Sequence, residues 1–197
     1  MMSLFHLFIV TVLFFHNPSA FDNSIETNSI ALKETHSLEE SAEYLPWANA
    51  RPLTWDDFLC EPKRNTDAVA LTSTALGISY NMSSNQLNYE ITCSFSKVKS
   101  WGLLKTPYIL AHEQGHFDIT EIYARKLHKE LLDYKFNRRT FRQDVNVIYD
   151  RIVKEKESLQ FAYDGLTDHS RNKTIQQEWL GKIQELLVQT EAYANYP

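Results

Sequence analysis

The chain reads as an α+β domain in which a small antiparallel sheet packs on one long helix and two further helices follow. Three observations predict this. Apolar residues recur at three- and four-residue intervals from about 107 to 134, a period of two occupies 67 to 98, and the three-to-four spacing returns over about 141–161 and 173–194.

Taken in order, the chain opens on an apolar run at residues 4–15 of signal-peptide length, too short to span a bilayer comfortably. Residues 1–20 therefore read as a signal peptide ending near Pro18-Ser19-Ala20, and the protein as exported, to the periplasm or the extracellular space. The leader carries no Lys or Arg, so an uncleaved amino-terminal anchor stays open; otherwise no stable membrane span is expected. Residues 21–46, rich in Ser, Thr, Asn and Glu, suit a flexible polar spacer. The remaining segment, 47–197, is long enough for one core and not two.

Between Asp67 and Val98, Val69, Leu71, Ser73, Ala75 and Gly77 alternate with their neighbours, and Leu87, Tyr89, Ile91, Cys93 and Phe95 continue the pattern. A hairpin turning through Asn81–Asn85 follows from it. The long helix starts at Thr106, a good N-cap, with Pro107 at the first helical position, where a missing N–H costs nothing. The second helix is expected to stop before Gly165, a helix breaker, and the third carries Ile175, Trp179, Ile183, Leu186 and Leu187 as its apolar stripe.

Within the long helix stands His112-Glu113-Gln114-Gly115-His116, the H-E-x-x-H pattern. On a helix its two histidines are offset by about 40° and about 6 Å, so both imidazoles can converge on one ion, with Glu113 beside them as a general base. Zinc is the expected cofactor, and a catalytic zinc takes three protein ligands. Asp118 and Glu121 project from other faces of the helix, so the third comes from elsewhere. The cluster 163–169 is the candidate source: His169 as third metal ligand, Asp164 as alternative ligand or outer-shell acceptor, and Tyr163 as a donor to a developing oxyanion. Gly115, costly in a helix, implies a close neighbour.

Cys60 and Cys93 are the only cysteines, an even count that in an exported chain reads as one structural disulfide. The net charge of −5, all of it outside the leader, argues against nucleic acid as a partner, and Lys135, Arg138, Arg139 and Arg142 read as a solvated run.

The stretch Arg51-Pro52-Leu53-Thr54-Trp55-Asp56-Asp57-Phe58, then His112 to Ile119, then Tyr163-Asp164 with Thr167 and His169, and finally Gln177 and Trp179, resembles the bacterial secreted family known as domain of unknown function 922. The likeness covers about residues 47–182, and Ser170 stands where that family's pattern has Gly. It implies a zincin-like domain and a zinc-dependent endopeptidase acting on a peptide or protein substrate, its water activated by Glu113. A different class remains beside it: a non-catalytic exported binding domain whose metal, held by His112, His116, His169 and Asp164, staples the core.

Overall fold

The computed structural model describes residues 43–47, 51–63, 66 and 68–197; the expected signal peptide and residues 21–42 of the expected spacer lie outside them. Its strands are β1 (Tyr44–Pro46), β2 (Ala70–Leu71), β3 (Thr74–Ser83), β4 (Gln86–Ser96) and β5 (Trp101–Gly102). Three helices follow: α1 (Pro107–Asp133), α2 (Phe141–Thr167) and α3 (Lys173–Gln189). The architecture is α+β, as the periodicities predict.

β3 and β4 form an antiparallel hairpin in register from Thr74 opposite Phe95 to Ser83 opposite Gln86. The turn is tighter than expected. Ser84 and Asn85 alone make it, at φ 50° and 60°, because the strands keep pairing through 81–83 and a two-residue turn matching their twist needs positive φ at both positions. β1 pairs with the end of β4, giving the order β1-β4-β3, while β2 and β5 form a separate two-stranded ribbon. Since β1 lies inside the stretch read as spacer, the packed unit includes Tyr44–Pro46 rather than beginning at Trp47.

α1 is the centre of the packing. Thr106 accepts a hydrogen bond from the Ile109 N–H and Pro107 occupies the first turn, as its caps predict. Phe117, Ile119, Ile122, Ala124 and Leu127 are buried against Leu76, Ile91, Cys93 and Phe95 of the sheet and the inner faces of α2 and α3. Trp179 and Ile183 of α3 close the other side. No helix among the described residues is long and apolar enough to cross a membrane.

The segment after Arg51 braces α1. Asp57 pairs with Arg51 (2.6 Å) and accepts from the Thr54 N–H (2.8 Å) and hydroxyl, fixing a single 3-10 turn at Trp55–Asp57. The Leu53 N–H donates to Oε1 of Gln114 at 2.7 Å, and the Trp55 ring lies where a Cβ on Gly102 would stand. Conformational choice in this loop is thereby tied to the helix that carries the H-E-x-x-H residues.

The expected disulfide is absent: both Cys60 and Cys93 are free thiols. Cys93 is buried on the inner face of β4, whereas the Leu59 N–H bonds the Lys97 carbonyl, placing Cys60 beside the chain where it leaves that strand. Four residues of strand amount to about 13 Å, beyond the reach of an S–S bridge.

Candidate metal centre

α2 runs six residues past the expected stop, through Gly165, to Thr167. A Cβ at Gly165 would meet nothing, so this glycine answers no packing need; one such residue costs the helix about 1 kcal/mol, which the burial of Tyr163 and Thr167 outweighs. The consequence is decisive for the site: Asp164 sits on helix rather than in a loop. α2 lies antiparallel to α1, so Asp164 meets His112 while Gln160, one turn earlier, meets His116.

His112 Nε2, His116 Nε2 and Asp164 Oδ1 form a near-equilateral triangle, with edges of 3.2 Å between the two nitrogens, 3.2 Å from His112 to the carboxylate and 3.0 Å from His116 to it. The three residues are a group able to hold one metal ion. Bonds of about 2.0–2.1 Å at tetrahedral angles separate neighbouring ligand atoms by about 3.3–3.4 Å, so the donor set fits zinc in both type and spacing. His112 is 3% exposed and its Nδ1 is buried with no partner among the described residues; Asp164, its side chain one-third exposed, forms the solvent edge.

The electrostatics follow from two imidazoles sharing one carboxylate. Burial disfavours the Asp164 anion, but its contacts with His112 and His116 outweigh that and hold its carboxyl well below the ordinary range. Burial lowers the His112 pKa against the pull of Asp164. At His116 burial acts in the same sense, yet Asp164 and Glu113 overcome it and the pKa ends raised. Glu113, 4% exposed, has its carboxyl raised by burial, with His116 and Thr72, which follows β2, opposing. The site thus gathers a buried acid, two imidazoles and a carboxylate within one helix pair.

His169, expected as the third ligand, stands outside the triangle. Its Nδ1 is 3.6 Å from Asp164 Oδ1 and its side chain is 57% exposed. It follows the end of α2, where Asp168, His169 and Ser170 all take positive φ (50°, 49° and 71°), so the chain turns away just after the helical position that Asp164 holds. Ser170 occupies left-handed backbone that glycine would adopt without strain.

Tyr163 differs more. Fully buried, it stacks on the His112 ring (4.5 Å, 21°), and its hydroxyl donates to the His112 carbonyl at 3.3 Å. It also explains Gly115: a Cβ there would lie 2.6 Å from the Tyr163 hydroxyl. The residue expected to serve an oxyanion lies with its ring on the His112 imidazole and its hydroxyl on the His112 carbonyl, with Trp179 packed behind it at 5.6 Å.

Gln160 was not legible in the sequence. Its Oε1 meets His116 Nδ1, and its Nε2 donates to the His116 carbonyl (2.8 Å) and to Thr120 Oγ1 (3.3 Å). The only signal available was its place one helical turn before Asp164, which requires knowing that the helix continues that far.

A family described as a bacterial protein of unknown function (DUF922) matches residues 52–170, more than half of the chain. No curated protein and no solved structure matches it.

Proposed function

The chain belongs to this bacterial family, DUF922, and on that footing we propose that it is a zincin-like, zinc-dependent endopeptidase. One observation carries the reading: the triangle of His112, His116 and Asp164 with the buried Glu113 alongside. A zinc ion so held would supply a Lewis acid that polarises a carbonyl and lowers the pKa of water to about 7.

The chain's own groups then divide the work. Glu113, whose raised pKa suits a proton acceptor, takes a proton from the attacking water and returns it to the departing amine nitrogen. Tyr163 and Gln160 keep the two imidazoles in orientation, and the anionic Asp164 balances charge at the solvent edge. Thr72, between β2 and β3, stands beside Glu113, so an extended peptide laid along β2 would bring its backbone to the acid. Peptide or protein is the proposed substrate, met outside the cytoplasm after export.

The test pairs metal analysis with cleavage of a peptide library by wild type and Glu113→Gln. The expected result is one zinc per chain in both, with turnover lowered at least about 100-fold in the variant. Unchanged cleavage in Glu113→Gln would remove the assignment.

A second reading is favoured by the 3.6 Å between His169 and Asp164. There His169 closes the site as a fourth ligand and the metal only staples α1 to α2. It predicts loss of metal from His169→Ala and no cleavage by wild type, whereas the catalytic reading leaves His169→Ala metallated.

A further inference from the structure

We infer that Gln160 is a positioning residue that fixes a proton on Nδ1 of His116 and so presents the Nε2 lone pair to the metal site. The argument starts at the side-chain amide, whose two ends are not interchangeable here. Its Nε2 faces two oxygens, the His116 carbonyl at 2.8 Å and Thr120 Oγ1 at 3.3 Å. Turned the other way, the amide would set its carbonyl oxygen against the His116 carbonyl, which has no proton to give.

The surrounding hydroxyls reinforce this orientation. Thr120 donates to the His116 carbonyl at 3.1 Å, so the hydroxyl of Thr74 on β3, 2.7 Å away, donates to Thr120 and leaves Thr120 Oγ1 as an acceptor for Gln160. Three elements, β3, α1 and α2, therefore agree on where the amide oxygen points. That oxygen meets His116 Nδ1, and a carbonyl oxygen only accepts, so Nδ1 carries the hydrogen.

His112 offers the contrast. Its Nδ1 is buried without a partner among the described residues, and its ring is held by stacking on Tyr163 instead. The two histidines are thus oriented by different devices, one by hydrogen bonds that choose a tautomer and one by packing that does not. Outer partners of this kind change metal affinity by about 10- to 100-fold when removed.

The zinc arm of the test rests on the proposed metal reading; the nitrogen arm does not. In long-range nitrogen–proton NMR spectra of the wild-type protein, Nδ1 of His116 is expected to resonate as a protonated nitrogen both before and after zinc is added. Zinc affinity, measured by competition with a chromophoric chelator, is expected to fall about 10- to 100-fold in Gln160→Leu.

An unprotonated Nδ1 in the wild type overturns the inference, as does unchanged affinity in a folded Gln160→Leu. If Gln160→Leu does not fold, the wild-type spectrum still decides. A protonated Nδ1 in a protein that takes up no zinc would sustain the role of Gln160 while removing the proposed peptidase, so the two failures are distinct.

Discussion

α1 buries two clusters of ionisable groups about two turns apart, and they are built on opposite plans. At one, Glu121 and Arg125, 1% and 5% exposed, pair at 2.8 Å; Tyr196 donates to the second carboxylate oxygen at 2.8 Å, and Arg125 donates to the Leu187 carbonyl at 2.9 Å. Every charge there is met by an opposite group from the same chain. At the other, His112, His116 and Asp164 bring three lone-pair atoms to one point, with Glu113 buried beside them. The difference teaches that buried charge alone does not mark a functional site. What sets the second cluster apart is acceptors converging in excess of the donors that could satisfy them.

Five substitutions would break or sharpen that contrast. Arg125→Ala leaves Glu121 buried without its cation and should cost about 3–5 kcal/mol in denaturant unfolding, with zinc affinity unchanged. The loss should shrink as pH falls, because burial already raises the Glu121 carboxyl against Arg125 and Tyr196, and the neutral acid needs no partner. Gly115→Ala pushes a methyl into Tyr163 and should cost about 1–3 kcal/mol while also weakening zinc binding, and Tyr163→Phe in the same protein should recover part of both. One cluster would then respond in stability alone and the other in stability and chelation together.

Asp57 supplies a smaller, pH-dependent effect. Burial tends to raise its carboxyl, but Arg51 and Thr54 outweigh that and bring it to about 2. A depressed carboxyl stabilises the fold above its unfolded pKa of about 4, and the contribution, about 2 kcal/mol, disappears as pH falls toward 2. Asp57→Asn should therefore be less stable than wild type at neutral pH, and the gap should close in urea melts run at successively lower pH. Smallest of all, Ser170→Gly relieves left-handed backbone and should raise stability by up to about 1 kcal/mol, seen as a few degrees in thermal melting.

Much of the scaffold was legible because its signals are local. Thr106 and Pro107 mark the start of α1, and the alternation through β3 and β4 marks the hairpin, since caps and periodicity act within a few residues. The histidine pair was legible for the same reason. Gly165 misled: its intrinsic preference argued for a break, while the tertiary burial of Tyr163 and Thr167, invisible in one dimension, carried α2 onward and made Asp164 rather than His169 the third member of the group. Arg125 and Glu121 are neighbours one turn apart on α1, but their burial had no local signal, because the Leu187 carbonyl and Tyr196 that complete the cluster come from the far end of the chain. Lys135, Arg138, Arg139 and Arg142 are exposed, as a solvated run would be.

All three donors of the triangle hang from two helices side by side, with none from a loop. The centre therefore behaves as a caliper on how α1 and α2 dock: sliding one helix by a single residue's rise, about 1.5 Å, would take the donors out of bonding distance of a shared ion. A cation bound there would lock the pair together and shift the melting transition upward with its free concentration. Were an ion so held, chelation and tertiary order would be a single measurement.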